Sequence, residues 1–215
     1  MHDENVERTT NGRGNVADMA LSQLRELRLR QNLGGYAEPL TNERIPTLEE
    51  VLKSARGRIT LNLDVKDSSY PEVVEAVRRA AAVDYVIVKA RAGIGSPALA
   101  GIEPFTEVSF MPILNGRNDD LLVIAEHQAT ANPVALELPH MTEAALPQLI
   151  EFASRHKLKL LNNTLGDGFV AKLGGDNDAL KDADAVWGQQ FRDGITIFQT
   201  DQPEALVIYR GSVRP

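Results

Sequence analysis

ITLNLDVK, residues 59–66, decides how this chain is read. It is an apolar, β-rich run that ends in a carboxylate, Asp64, and an ammonium, Lys66. Residues two apart on a strand point the same way, so these two side chains share a face. Working outward, similar runs follow at Tyr85–Lys89, Val108–Leu114, Val134–Leu138, Lys159–Asn163 and Ile195–Thr200. Helical patterns separate them at Tyr70–Ala82, Asp119–Ala129, Thr142–His156, Asp178–Asp193 and Pro203–Tyr209. Ahead of the first run, Thr47–Ala55 opens with a Thr and carries Glu50 three residues on, the spacing of a capping box. Several of the strands are apolar on both faces, as in a buried parallel sheet. Repeated strand–helix units with short loops mean an α/β fold. No linker or low-complexity stretch divides the chain, so the expectation is one domain over residues 1–215, opening with a loop, a helix at Leu21–Arg30 and another loop.

The polar residues at strand ends choose between a barrel and an open doubly wound sheet. Asp64, Lys66, Lys89, Asn115, Glu137, Asn163, Gln199 and Asp201 all stand at or just past C-terminal strand ends. A barrel converges such ends on one mouth, where barrel enzymes place their chemistry. A doubly wound sheet would carry a Gly-rich phosphate loop after its first strand; RAGIG, residues 91–95, follows the second strand and lacks the dinucleotide spacing. The reading is a TIM-type (β/α)8 barrel of which about six β/α units are present, incomplete or open.

Composition limits the functions. A net charge of −7 and a pI near 5.2 argue against a nucleic-acid partner, which would want a basic face. With no Cys there are no disulfides, thiolate metal sites or Cys nucleophiles. No run approaches the ~18 apolar residues of a membrane span. The compartment is not fixed by the sequence.

Three motifs in order, HD-x4-RTT-x-G from His2, IPTLEEVL from Ile45, and QTD-x-P from Gln199, together with LNLDVK, resemble the glycerophosphodiester phosphodiesterase family over essentially the whole chain. The resemblance implies a (β/α)8 barrel that hydrolyses glycerophosphodiesters to glycerol 3-phosphate and an alcohol with a divalent cation, Mg2+ or Ca2+. Lysophospholipase D and sphingomyelinase D enzymes share the barrel and are the alternative enzymes. Family members reach the HD segment after two strands bearing a His-Arg pair and a Glu-x-Asp. Neither pair occurs here, so the expectation is a chain lacking its first two β/α units. Such a chain would be weak or inactive as a catalyst, with exposed sheet edges that offer a route to a homo-oligomer. Localisation follows the same logic: periplasmic or secreted is plausible for a longer parent, whose leader is not in this chain.

By resemblance, His2 is one of two histidines for acid–base work; an imidazole suits this because it titrates near neutral pH. Asp3, Arg8, Thr9 and Thr10 brace that loop. Asp64 sits where the family carries a metal-binding carboxylate, its competing role being a salt bridge to Lys66. Lys66, Lys89, Glu137, Asn163 and Trp187 are the substrate-binding candidates. For Trp187 the helical spacing of DAVWGQQF also favours core packing. Asp201 reads as the cap of the last helix, and His127, His140 and His156 as surface residues. A non-catalytic relative that binds phosphorylated ligands is the competing class.

Overall fold

The structure, a computed structural model, describes residues 2–213. It divides into two compact units, Met1–Ile59 and Thr60–Pro215.

In the first unit a turn-rich segment leads into α1 (Leu21–Glu26), a short hairpin of β1 (Arg28–Arg30) and β2 (Leu40–Arg44), and α2 (Leu48–Ala55). The opening segment is braced from within. Arg8 reaches both carboxylate oxygens of Asp3, at 2.6 and 2.9 Å, and the carbonyl of Leu33. The buried Thr10 hydroxyl donates to the Val6 carbonyl at 2.7 Å and accepts from Gly12 N–H at 2.9 Å. The capping box at α2 forms: Thr47 Oγ1 accepts from Glu50 N–H at 3.2 Å, and the Glu50 carboxylate takes Thr47 N–H at 2.8 Å. Glu50 is also held by the Arg25 guanidinium. The helix read over Leu21–Arg30 stops at Glu26, because Leu27 turns extended and RLR pairs antiparallel with β2. The Arg30 side chain locks that pairing by donating to the carbonyls of Thr10 and Glu38.

The second unit is a sheet of six parallel strands: β3 (Leu61–Asp64), β4 (Val86–Ala92), β5 (Ser109–Leu114), β6 (Ala135–Glu137), β7 (Lys159–Asn163) and β8 (Ile197–Gln199). They lie side by side in chain order and curl into a half-barrel. The helices α3 (Tyr70–Arg79), α4 (Leu121–Ala129), α5 (Leu146–His156), α6 (Asp176–Ala179), α7 (Gln189–Asp193) and α8 (Pro203–Ser212) complete the alternation. The expected α/β architecture of about six units is what forms. The helix read over 178–193 is broken instead into α6, a π-helical turn at Asp184–Gly188, and α7.

Two cores follow from the alternation of side chains along each strand. Outward-facing residues such as Ala92, Leu114, Leu136 and Leu160 pack against Leu121, Ile124, Leu149 and Phe152 of α4 and α5. Inward-facing Met111, Ala135 and Leu161 meet Ile87 and Ile197 on the concave face. Among the described strands, β3 and β8 each have one neighbour in the sheet. No helix among the described residues is long and apolar enough to cross a membrane.

Candidate active site at the strand ends

Two residues beyond the apolar inner layer along β4, β6, β7 and β8, the concave face turns polar. Asp64 pairs in register with Lys89, and Asn163 with Gln199, so period-two alternation puts all four on the inner face with Glu137. Lys89 Nζ stands 2.9 Å from Glu137 Oε2 and 4.0 Å from Asp64 Oδ2. Asn163 Nδ2 donates to the other Glu137 oxygen at 3.0 Å. Lys89 and Glu137 are 4% and 5% exposed, so both oxygens of a buried carboxylate are satisfied, one by a cation. Asp64 lies toward solvent, and its Oδ2 accepts from Lys66 Nζ at 2.6 Å. The competing salt bridge between Asp64 and Lys66 therefore does form. Five of the residues singled out from sequence, Asp64, Lys66, Lys89, Glu137 and Asn163, are one linked group at the C-terminal ends of four strands.

Two more residues join them. Arg91 follows Lys89 by two on β4, which returns it to the inner face, and among the described residues it forms no ion pair. Tyr70, at the start of α3, packs edge-on against Phe105. Burial pushes its phenol up, the charges of Asp64 and Asp67 push the same way, and Arg91 opposes them. Those influences place Tyr70, Asp64, Asp67 and Arg91 in one electrostatic neighbourhood. The Ser69 hydroxyl and backbone hold the Asp67 carboxyl below the usual range. Arg91 could have been found by counting two residues on from Lys89; Tyr70 had no comparable signal.

The other candidates sit elsewhere. His2 is in the first unit, exposed, with Nδ1 3.0 Å from Asp3 Oδ1. Trp187 is corrected from pocket wall to packing. It is 1% exposed, in a cluster with Ala179, Val186, Leu206 and Phe198 on the helix side of β8. Asp201 does not cap α8: its N–H donates to Asp176 Oδ2 at 2.8 Å, and Thr200 Oγ1 accepts from Gln202 N–H at 2.9 Å. His127, His140 and His156 are exposed, His140 stacked on Phe169 with centroids 3.7 Å apart.

A hard cation needs several oxygens. Among the described residues no group of three or more His, Cys, Asp or Glu side chains gathers to hold one. Both Glu137 oxygens are engaged, which leaves Asp64 as the inner-face carboxylate with an oxygen to offer. The side chains present thus supply one free carboxylate, and water and phosphate oxygens would have to complete the shell of any divalent cation held there.

The family model for the glycerophosphoryl diester phosphodiesterase family matches residues 1–110, half of the chain. The chain belongs to that family. A second model, a domain of unknown function, matches residues 110–210. A putative glycerophosphodiester phosphodiesterase, YhdW of Bacillus subtilis, is 43% identical over 67 residues, 31% of this chain and 26% of that protein. The glycerophosphodiester phosphodiesterase of Caldanaerobacter subterraneus is 36% identical over 83 residues, 37% of this chain and 33% of that protein. The matched stretches thus span about a quarter to a third of these relatives' length. Among solved structures, a glycerophosphoryl diester phosphodiesterase from Parabacteroides distasonis superposes with a TM-score of 0.76 at 21% identity, over 100% of this chain and 71% of that one. An Oleispira antarctica phosphodiesterase, solved with the product sn-glycerol-3-phosphate, gives 0.60 at 15% identity, over 97% and 77%. At these identities the structures speak for the shared fold.

Proposed function

We propose that this family member is a phosphoric diester hydrolase whose inner-face mouth takes a glycerophosphodiester and releases glycerol 3-phosphate and an alcohol. The observation that carries the reading is the linked group Lys66–Asp64–Lys89–Glu137–Asn163, a set of charges gathered at strand ends where barrels of this class place chemistry. Within it, Lys89 is neutralised by Glu137 and forms a fixed floor. Arg91, a planar fork, and Lys66, a half-exposed point charge released from Asp64 when that carboxylate takes a cation, are the groups that meet a phosphate. Asp64 is the ligand for a divalent cation, whose chemistry is to draw charge off the phosphodiester oxygens. Proton transfer is assigned to His2 through the family motif. General acid–base hydrolysis uses two such groups, and His2 is the one histidine the motifs supply, so turnover by this 215-residue chain is slow.

The test is titration of the full chain with sn-glycerol 3-phosphate, with and without Mg2+. Lys66→Met should weaken binding about ten- to a hundredfold, the scale of one charge-assisted contact. Asp64→Asn should abolish the Mg2+ dependence. Wild-type protein that binds neither glycerol 3-phosphate nor a glycerophosphodiester would overturn the reading. The second reading, a non-catalytic binder, is favoured by the internal neutralisation of Lys89; it predicts binding that Mg2+ does not change and no hydrolysis above a His2→Ala control.

A further inference from the structure

A carboxylate with no part in the reading above ties the ends of β7 and β8 together. Asp176 opens α6 and is 3% exposed. Its Oδ1 accepts from the Thr164 hydroxyl at 2.7 Å and the Thr200 hydroxyl at 2.8 Å; its Oδ2 accepts from Asp201 N–H at 2.8 Å. All three donors are neutral, and among the described residues it forms no ion pair. Thr164 is gripped from both sides, since Asp176 N–H also donates to its carbonyl at 2.6 Å. Thr164 N–H in turn donates to the Gln199 carbonyl at 2.9 Å.

A buried carboxylate is a costly way to join two strands, and an apolar contact would serve stability as well. What the carboxylate adds is direction. Thr164 directly follows Asn163, and Thr200 directly follows Gln199. Neighbouring residues on an extended chain point to opposite sides. With both hydroxyls drawn toward Asp176, Asn163 and Gln199 are turned to the inner face. There Asn163 restrains Glu137, and Glu137 holds Lys89. Asp176 reaches this position because the segment before it crosses itself closely: a Cβ on Gly175 would stand 2.2 Å from Gly168 N. Only glycines permit that crossing.

We propose that Asp176 is a positioning residue for the inner-face site, its carboxylate fixing the ends of β7 and β8 so that Asn163 is aimed at Glu137. The proposal rests on the reading of that face as a phosphate site, but its first readout does not. In full-length protein the Asn163 side-chain amide, donated to Glu137 in a buried setting, gives an NMR signal displaced from that of a solvent-exposed amide. Asp176→Ala should return it to the exposed position, and Thr200→Val, which removes one of three donors and is the milder change, should move it part of the way. The second readout is affinity for sn-glycerol 3-phosphate, expected to fall about tenfold or more in Asp176→Ala, the scale of losing a group that orients a contact residue. Gln128→Ala is the control. It removes the bonds that this buried amide makes to Leu99 N–H at 3.0 Å and to the Pro97 carbonyl at 2.7 Å, away from β7 and β8, so it costs stability and should leave both readouts unchanged. An Asn163 signal unmoved in a folded Asp176 or Thr200 variant, or moved equally in Gln128→Ala, overturns the proposal. Absence of wild-type binding overturns the phosphate reading instead, and the amide signal still decides on Asp176.

Discussion

Two layers of side chains share the concave face of the half-barrel, two residues apart along the strands. The lower layer is Ile87, Met111, Ala135, Leu161 and Ile197, with the exposed Asn62 of β3 in register beside Ile87. The upper is Asp64, Lys89, Glu137, Asn163 and Gln199, with Ile113 of β5 in register beside Glu137. On four strands, β4, β6, β7 and β8, the residue changes from apolar to polar between the layers, so backbone propensity and neighbouring helices do not explain the change. Moving two residues along β4, from Ile87 to Lys89, exchanges an alkyl contact for a buried ammonium. The lower layer stabilises by removing apolar surface from water. The upper layer carries charges that are tolerable only because each buried one has a partner. Apolar packing and charge are separated along the strand axis, within about 7 Å at the usual rise per residue.

The separation breaks most visibly at Lys89. Lys89→Met leaves Glu137 with its carboxylate buried and without a cation, which should cost about 3–5 kcal/mol in denaturant unfolding. Replacing both partners, Lys89→Met with Glu137→Met, should restore part of that loss, since an apolar pair needs no cation, while the buried Asn163 amide left without Glu137 retains about 1–3 kcal/mol of it. The restored double variant should nevertheless bind sn-glycerol 3-phosphate far more weakly, because the floor of the site is gone. Recovery of both stability and binding would refute the division of labour.

Met111 sharpens the comparison from the other side. Met111→Ala in the lower layer should cost about 2–5 kcal/mol through lost burial and the cavity left behind. Its affinity for sn-glycerol 3-phosphate should stay within a factor of about two, as a layer that supplies only packing implies. A larger loss of affinity would show that the layers are coupled.

Much of the half-barrel could be read in advance because its strands are apolar runs bounded by turns, and its helices have ordinary spacing. The capping box at Thr47 and Glu50 was visible for the same reason: it is local. The β1–β2 hairpin was not visible, since three residues, RLR, carry no periodicity and are held by Arg30 reaching two distant carbonyls. The break inside 178–193 was hidden by a helical pattern that runs through the π-turn. The site shows the same limit. Asp64 and Lys66 could be paired on paper, being two apart, whereas Lys89 and Glu137 are 48 residues apart and meet only because strand order brings β4 and β6 together. Asp176 sits in GGDN, which reads as a loop; its partners at 164 and 200 lie beyond any local pattern.

The smallest expected effect comes from the first unit, where the charges are exposed and the contrast with Lys89 and Glu137 is one of solvent. The Asp3 carboxyl is held well below its usual range, first by the Arg8 guanidinium that takes both its oxygens and then by His2. A carboxyl depressed in the folded state contributes stability that is fully present above its unfolded value, near pH 4, and is lost as pH falls from there toward the folded value. Asp3→Asn removes that dependence, so the stability difference between wild type and variant should be flat above about pH 5 and shrink below pH 4. Exposure screens the interaction, which keeps the change small compared with the loss at Lys89. A wild-type advantage that grew on acidification would mean that Asp3 is stabilised protonated, and would reverse the assignment of Arg8 as its partner.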